Sequence, residues 1–299
     1  MHKYDLAISY VWQFDKKFVE LIEKRFQKAG LKTYVIEKFN LYETAGLLRT
    51  KRLSFKAYLD RASDEDHNFD SITKILKRRK CHLINPHDKI RKVTDKAYMH
   101  KKLEKKNLRL PKTFILPPYD CDDEINLSGT ELEQLGKQFV VKPSIFSGGG
   151  EGVVKNASSV EQIQEARMQS HTEKYLIQEK ILPRTLDGKR AWFRIFWAFD
   201  KVIPCWWNDH THIYQRLTKE QIKKYHLLQL IRITSRLARL TFLDYFSTEI
   251  ALTKKHKFIL IDYINDQCDM RLKSNHTNGV PDRVVIEFID AMQKKIISL

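Results

Sequence analysis

A glycine-rich loop directly after a short apolar run constrains this chain more than any other feature. Residues 139–141 are apolar and predict a β-strand, and this strand leads into Lys142. Four glycines follow between 148 and 152, although the whole chain holds only 10 Gly. A loop without Cβ atoms lets backbone N–H groups approach an anion closely. The pattern predicts a phosphate site, and a tight turn beside a surface lysine is the alternative.

Length and composition set the general class of protein. A chain of 299 residues allows two or three domains, and a hydrophobic content of 42% is enough for a packed core. No apolar run reaches the length of a membrane span, and the first residues lack a signal-peptide pattern. The 4 Cys are scattered without a CxxC pair, which suits a reducing compartment. These features predict a cytoplasmic protein with no membrane partner.

The strong positive charge indicates anionic partners. Lys and Arg number 54 against 37 Asp and Glu, which gives a formal net charge of +17. The basic residues are spread along the chain, and the two clusters at 77–80 and 101–106 are typical of solvated helix faces. The charge alone does not choose between a nucleotide, an acidic metabolite and a nucleic acid, and nucleic acid is the least favoured.

Alternating strand and helix patterns in the first hundred residues predict a small α/β domain. Strands are expected at 4–11, 31–36, 54–59 and 82–84, and helices at 16–29 and 70–79. Further along, we expect a charged helix at 94–106 and a hairpin of strands 139–142 and 152–155 around the glycines. The last third predicts a hairpin turning at Asp200 and Lys201, a helix or helix pair at 218–240, strands at 246–253 and 257–264, and a closing helix at 282–297.

An ordered set of motifs resembles the ATP-grasp superfamily, over roughly residues 85–297. In chain order the motifs are Asp95-Lys96 with Pro111-Lys112-Thr113, Val141-Lys142-Pro143 with the loop 147–153, the segment 177–181, Glu249, and Asp262 with Asn265. Within the superfamily the chain is similar to carboxylate–amine ligases such as glutathione synthetase and the ribosomal-protein-modifying ligases. The resemblance implies an α/β fold with α+β lobes, in which an N-terminal Rossmann-like βαβ domain (1–92) precedes a two-lobed ATP-grasp domain (93–182 and 183–299).

The resemblance also implies which residues hold ATP. Lys96 and Lys142 would offset the charge of the triphosphate, and the segment 178–181 would present backbone groups to adenine. Asp187 is either a ribose acceptor or a turn residue, because Asp187-Gly188 is also a common turn pair. The complete predicted nucleotide set is Lys96, Lys142, Ser147, Gly148, Gly149, Gly150, Gln178, Glu179, Lys180, Ile181 and Asp187.

Two carboxylates in apolar strands predict a site for Mg²⁺, with Mn²⁺ as an alternative ion. Glu249 and Asp262 each lie in an otherwise apolar run, where a carboxylate is unfavourable unless it is paired or bound to a metal. The resemblance adds Asn265 as a third ligand. The superfamily usually places this acid and Asn two residues apart, whereas Asp262 and Asn265 are three apart. Either the strand bulges there or Asp266 takes one of the two roles.

Two arginines and one lysine are the candidates for catalysis and substrate binding. Arg194 lies in an aromatic strand and is predicted, with Lys142, to act on the transferring phosphoryl group. Arg194 and Arg271 are also the candidate ligands for the substrate carboxylate. An arginine packed between aromatic side chains on a sheet face is the alternative for Arg194.

The function that the resemblance implies is ATP-dependent ligation of a carboxylate, small or peptidic, to an amine through an acyl phosphate. Phosphoryl transfer to a polyanionic alcohol such as an inositol phosphate is the first alternative, and the charge of +17 favours it. An inactive module that binds nucleotide or nucleic acid is the second alternative. The presence of Lys142, Glu249 and Asp262 together argues against the inactive module.

Overall fold

The computed structural model describes residues 1–145 and 150–299. Two compact units are interleaved along the chain. The first unit contains residues 1–89, 195–247 and 266–299, and the second contains residues 90–194 and 248–265. The three-part division at residues 92 and 182 stays a prediction.

A four-stranded parallel sheet forms the start of the first unit. Its strands are β1 (His2–Tyr10), β2 (Thr33–Ile36), β3 (Leu53–Arg61) and β4 (His82–Ile84), in the order β2-β1-β3-β4. Helices α1 (Lys16–Lys28), α2 (Leu41–Arg49) and α3 (Asp70–Arg78) connect them. The predicted strand–helix–strand pattern is therefore present. The comparison with a Rossmann-like domain stays a prediction.

Helix α2 was not anticipated from the sequence. It is short and carries Gly46 in its interior, and glycine is unfavourable in a helix. Its buried side chains Leu41, Ala45 and Leu48 belong to the same apolar core as strand residues such as Phe55. Packing therefore stabilises this helix where local propensity does not.

The second unit contains a four-stranded sheet in the order β5-β8-β6-β7. Its strands are β5 (Thr113–Leu116), β6 (Phe139–Pro143), β7 (Val154–Ala157) and β8 (Tyr175–Glu179), and all neighbours are antiparallel. Helices α5 (Lys96–Glu104), α6 (Gly129–Glu133) and α7 (Val160–Met168) lie in the same unit, and α4 (His87–Val93) precedes them. The pairing of β6 with β7 confirms the hairpin predicted around the glycines.

A five-stranded sheet follows the order β13-β12-β11-β14-β15. After the short strands β9 (Thr185–Leu186) and β10 (Lys189–Arg190), its strands are β11 (Trp192–Ala198), β12 (Lys201–Trp207), β13 (Tyr214–Arg216), β14 (Tyr245–Leu252) and β15 (Phe258–Asn265). Phe199 and Asp200 have φ values of 48° and 73°, so the hairpin turns one residue earlier than predicted, in a left-handed pair that suits the twist of the strands.

Three helices complete the chain: α8 (Lys219–Lys224), α9 (Leu228–Thr241) and α10 (Asp282–Ser298). The predicted capping box is present, because Thr218 Oγ1 accepts from Gln221 N and Gln221 Oε1 accepts from Thr218 N. His226 has a φ of 55°, which separates α8 from α9, so the helix pair is the correct alternative. None of the described helices combines the length and the apolar character needed to cross a membrane. The fold is mixed α/β with parallel and antiparallel sheets, as predicted.

We expect Gly279→Ala to lower the free energy of unfolding by about 2 kcal/mol. A Cβ at Gly279 would lie 2.6 Å from the carbonyl oxygen of Arg271 and 2.7 Å from that of Leu272, and these backbone atoms cannot move independently. The loop is closed by Val280 N, which donates to Arg271 O at 2.7 Å. Chemical denaturation of both proteins measures the difference.

The matched control for this prediction is Gly46→Ala in α2. A Cβ at Gly46 would meet no atom within 4 Å, and alanine favours a helix, so this variant should be slightly more stable than wild type. If Gly279→Ala unfolded at the wild-type denaturant concentration, the close approach of the loop at residue 279 would be contradicted.

Candidate functional site

Lys142 lies near the end of β6 and is buried, with 7% of its surface exposed. Its Nζ donates to Ile261 O at 3.1 Å and lies 5.6 Å from the centre of the Tyr263 ring. Burial lowers the pKa of Lys142 from 10.5 to about 8, although the carboxylate of Asp262 acts in the opposite direction. The strand thus holds a desolvated ammonium group in a fixed position.

Ser144 ties the end of β6 to the beginning of α5. Its Oγ donates to Asp95 Oδ1 at 2.5 Å and accepts from Ala97 N at 2.9 Å, while its carbonyl oxygen accepts from Lys96 N at 2.9 Å. Asp95 is the N-cap of α5, because its side chain also accepts from Tyr98 N. The start of the helix that carries Lys96 is therefore attached to the strand that carries Lys142. Sequence reasoning missed Ser144, which has no distinguishing local pattern.

The two predicted metal ligands have different surroundings. Glu249 on β14 accepts from Trp192 Nε1 at 2.9 Å and forms an ion pair with Arg194. Asp262 on β15 lies 4.0 Å from Lys96 Nζ, measured at Oδ1. Within residues 1–145 and 150–299, this buried Oδ1 atom accepts no hydrogen bond.

Opposite charges surround Asp262 and stabilise its ionised form. Burial acts to raise the pKa of Asp262, but the charges of Lys96, Lys142 and Arg194 outweigh it and the pKa lies below its usual value. Glu249 also interacts electrostatically with this cluster, because its negative charge favours the protonated form of Lys142. Five of the predicted residues thus come together in the second unit: Lys96, Lys142, Arg194, Glu249 and Asp262.

The donor set fits a hard divalent cation that completes its shell with phosphate oxygens. Oδ1 of Asp262 is a buried acceptor with unused lone pairs. Glu249 already accepts from Trp192 and Arg194, but each carboxylate oxygen has a second lone pair for a cation. No cluster of three His, Cys, Asp or Glu suited to a metal ion occurs in the described part of the chain. A site of two carboxylates is typical of Mg²⁺ held together with a nucleotide.

Asn265 and Asp266 lie at the end of β15. Asn265 is the last residue of the strand, three positions after Asp262, so a regular strand would direct the two side chains to opposite faces. Asp266 belongs to the first unit. Burial raises the pKa of Asp266 to about 6, the Asp64 charge adds to the shift, and Arg61 opposes it. The roles of Asn265 and Asp266 as metal ligands stay predictions.

The segment predicted to hold adenine begins within β8, at Gln178. Gln178 is buried, and its Nε2 donates to Thr113 Oγ1 at 2.9 Å and to Tyr263 Oη at 3.2 Å. Glu179 N donates to Lys112 O, and its carboxylate accepts from Lys112 N. The side chains of both residues are therefore used within the protein.

The next two residues leave the strand. Lys180 Nζ donates to Gln138 Oε1 at 3.1 Å and to Asn156 Oδ1 at 2.5 Å. Lys180 and Ile181 follow the end of β8. Among the described residues, no backbone–backbone hydrogen bond of a loop, turn or cap involves either of them. Adenine binding by the backbone of this stretch stays a prediction.

Asp187, Gly150 and Arg271 are the remaining predicted residues that the structure describes. Asp187 has a φ of 45° and lies with Gly188 in the two-residue turn between β9 and β10, which agrees with the alternative of a turn residue. Gly150 also has a positive φ, of 90°. Arg271, in the first unit, forms a two-point ion pair with Asp269 and lies over the Trp12 ring. Ser147, Gly148 and Gly149 lie outside the described residues.

Tyr263 and His100 were not anticipated from the sequence. His100 Nδ1 lies 2.6 Å from Tyr263 Oη, and both side chains are buried. Burial lowers the pKa of His100 to about 4, so the imidazole is neutral at pH 7. Neither residue stands in a local pattern that would have indicated this contact.

Comparisons with known proteins identify the fold. Family models and curated protein sequences give no match. The ATP-grasp ligase PsnB, complexed with a minimal precursor, Mg and ADP, matches with a TM-score of 0.59 at 11% identity, over 97% of this chain and 98% of that chain. The chain has the ATP-grasp fold, which confirms the predicted resemblance at the level of fold.

Two further solved structures agree with this assignment. The macrocyclase MdnC of Microcystis aeruginosa MRC, bound with its precursor peptide MdnA, has a TM-score of 0.62 at 13% identity, over 98% of this chain and 99% of that one. A RimK domain ATP-grasp protein of Sphaerobacter thermophilus DSM 20745 has a TM-score of 0.61 at 13% identity, with coverage of 98% and 99%. These likenesses span nearly the whole chain.

Proposed function

We propose that this protein is an ATP- and Mg²⁺-dependent ligase that joins a carboxylate to an amine. The observation that carries the proposal is the cluster of Lys96, Lys142 and Arg194 around Asp262 and Glu249, in an ATP-grasp fold. Three cations against two carboxylates leave a net positive charge in a largely buried site. A polyphosphate with its metal ion complements such a set, because the cations take phosphate oxygens and the carboxylates take the metal.

In this proposal the lysines bind the nucleotide phosphates. Lys142 is held by Ile261 O and is 7% exposed, so little solvent screens its charge. Lys96 stands at the first turn of α5, which is attached to β6 through Ser144. The metal ion, when bound by Asp262 and Glu249, would neutralise charge on the phosphates. Asn265 stays a candidate third ligand, and backbone groups of Lys180 and Ile181 would bind adenine.

The proposed reaction proceeds in two balanced steps. An oxygen of the substrate carboxylate attacks the γ-phosphorus of ATP, the bond to the bridging oxygen breaks, and ADP leaves. The amine nitrogen then attacks the carbonyl carbon of the acyl phosphate, inorganic phosphate leaves with the electron pair, and the amine loses a proton to water. Arg194, paired with Glu249 beside the metal ligands, would stabilise charge on the transferred group.

The substrate class that we propose is a peptide or small-molecule carboxylate. Support comes from two structural neighbours, since PsnB was solved with a precursor and MdnC with a precursor peptide. The formal net charge of +17 favours a polyanionic alcohol, and we give it less weight because the basic residues are spread along the chain. Peptide carboxylates are therefore the first substrates to test.

We expect AMPPNP with Mg²⁺ to raise the unfolding temperature, with an increase that grows with ligand concentration as mass action requires. EDTA should remove most of the shift, because Asp262 and Glu249 need a divalent cation to face the phosphates. The same titration with AMPPNP and Mn²⁺ tests the alternative ion. Absence of any shift with ATP or GTP analogues and either metal would overturn the proposal.

The chemistry is tested with hydroxylamine. A peptide library or carboxylate pool that stimulates ADP formation should yield a hydroxamate when hydroxylamine replaces the amine, because hydroxylamine captures an acyl phosphate. A stable phosphoester product without hydroxamate would show phosphoryl transfer to an alcohol and contradict the ligase. That outcome would leave the proposed nucleotide binding unaffected and contradict only the proposed ligation step.

A further inference from the structure

Tyr263 is a buried residue next to the proposed metal ligand Asp262. It lies on β15 and is 1% exposed. A side chain so inaccessible does not touch substrate, so any part it has in function passes through its neighbours. Those neighbours belong to three segments of the proposed nucleotide site.

The hydroxyl group joins β15 to two other elements. Tyr263 Oη lies 2.6 Å from His100 Nδ1 and accepts from Gln178 Nε2 at 3.2 Å. His100 stands four positions after Lys96 on α5, so the two residues share one face of that helix. Gln178 lies on β8, two positions before Lys180. One hydroxyl therefore links the helix of a phosphate lysine to the strand that leads into the adenine segment.

The aromatic ring has a separate contact. Lys142 Nζ lies 5.6 Å from the centre of the Tyr263 ring, within the range of a cation–π interaction. The same Nζ donates to Ile261 O, two residues earlier on β15. Strand β15 thus holds the ammonium group at two points, one on the backbone and one on the ring.

We propose that Tyr263 is a positioning residue that aligns the two ends of the nucleotide site: its hydroxyl orients α5 and β8 for the nucleoside, and its ring orients Lys142 for the phosphates. The inference rests on the proposed nucleotide site. The two contacts are chemically separable, because phenylalanine keeps the ring and loses the hydroxyl, while leucine loses both.

Calorimetric titration with AMP and with Mg-AMPPNP tests both parts. We expect Tyr263→Phe to weaken the binding of the two ligands equally, by about tenfold, because both contain the nucleoside. Tyr263→Leu should weaken Mg-AMPPNP further, by another factor of about five, because only that ligand carries the β- and γ-phosphates. The ratio of the Mg-AMPPNP affinity to the AMP affinity measures how well the site binds the β- and γ-phosphates. A general loss of protein stability would not change this ratio.

The matched control is Tyr175→Phe on β8. Tyr175 is also 1% exposed, so the variant removes a hydroxyl group from an equally buried tyrosine of the same unit, and neither affinity should change. If Tyr263→Phe bound both ligands like wild type, or if Tyr175→Phe weakened them as much, the positioning role would be overturned. A wild-type protein that bound neither ligand would overturn the proposed function and this inference together.

A double-mutant cycle tests the route through His100. His100→Leu should weaken both ligands, and the double variant should lose less affinity than the sum of the two single losses, because both single variants remove the same hydrogen bond. Fully additive losses would contradict the hydroxyl–imidazole route.

Discussion

Asp262→Asn is expected to reduce ADP formation roughly a thousandfold while the fold remains intact. The amide keeps the size of the side chain but removes the negative charge that faces Lys96 at 4.0 Å. Oδ1 of Asp262 is a buried acceptor that none of the described groups satisfies, so we propose that it makes the main metal contact. Without that contact, the charge on the phosphates is no longer offset as the reaction proceeds.

The measurement is substrate-stimulated ADP release, together with the affinity for AMPPNP as Mg²⁺ is varied. For the wild-type protein we expect binding that tightens with Mg²⁺, and for Asp262→Asn binding that depends much less on it. The binding measurement separates loss of the metal contact from loss of substrate, because it needs no turnover.

The matched control is Asp290→Asn on α10. Asp290 pairs with Arg25 in the first unit, so the change also removes a carboxylate from an ion pair. It should leave the Mg²⁺ dependence of binding unchanged. Wild-type activity in Asp262→Asn would contradict the metal assignment, and loss of activity in Asp266→Asn alone would transfer that role to Asp266.

Lys142→Met is expected to stabilise the nucleotide-free protein by about 3 kcal/mol at pH 7 and to abolish nucleotide binding. The folded protein lowers the pKa of Lys142 from 10.5 to about 8, and each pKa unit corresponds to about 1.4 kcal/mol. The shift means that the folded state disfavours the charged lysine. Methionine fills the same buried position without a charge, but it offers no cation to the phosphates.

The pH dependence has a definite sign. The pKa of Lys142 is lower in the folded state than in the unfolded state, so burying the charged lysine costs stability. This loss of stability is complete below pH 8, decreases as the pH rises from about 8 towards 10.5, and disappears above 10.5. The stability difference between the variant and wild type should therefore shrink over this interval. Denaturant unfolding in EDTA at pH 7, 9 and 10 measures it.

The control for this prediction is Lys223→Met. Lys223 is an exposed residue on α8, so replacing it should change stability little at any of these pH values. Equal stabilities of Lys142→Met and wild type at pH 7, or a difference that stayed constant up to pH 10, would contradict the buried, desolvated position of Lys142.

Local sequence determined most of the regular elements. Alternation and helical spacing predicted β1, α1, β3 and α3 within one to two residues of their observed bounds, because each carries an apolar face with the period of its own geometry. Capping chemistry likewise predicted the start of α8 at Thr218. Helix α2 was missed because Gly46 weakens its local signal and buried packing compensates.

Local sequence also singled out three charged residues of the proposed site. Lys142 stands at the end of an apolar strand beside glycines, and Glu249 and Asp262 stand in apolar strands. A charge in such surroundings requires a compensating partner, so the residues could be named without coordinates. The sequence alone did not show which partner compensates each charge.

Only the tertiary structure decided how these residues are paired. Arg194 pairs with Glu249 across 55 residues of sequence, Ser144 reaches Asp95 across 49, and Lys142 reaches Ile261 across 119. Such contacts depend on which strands become neighbours, and local periodicity carries no information about that choice. Tyr263 is the clearest case: in sequence it is an ordinary strand tyrosine, and its contacts with His100 and Gln178 exist only because β15, α5 and β8 meet in the folded chain.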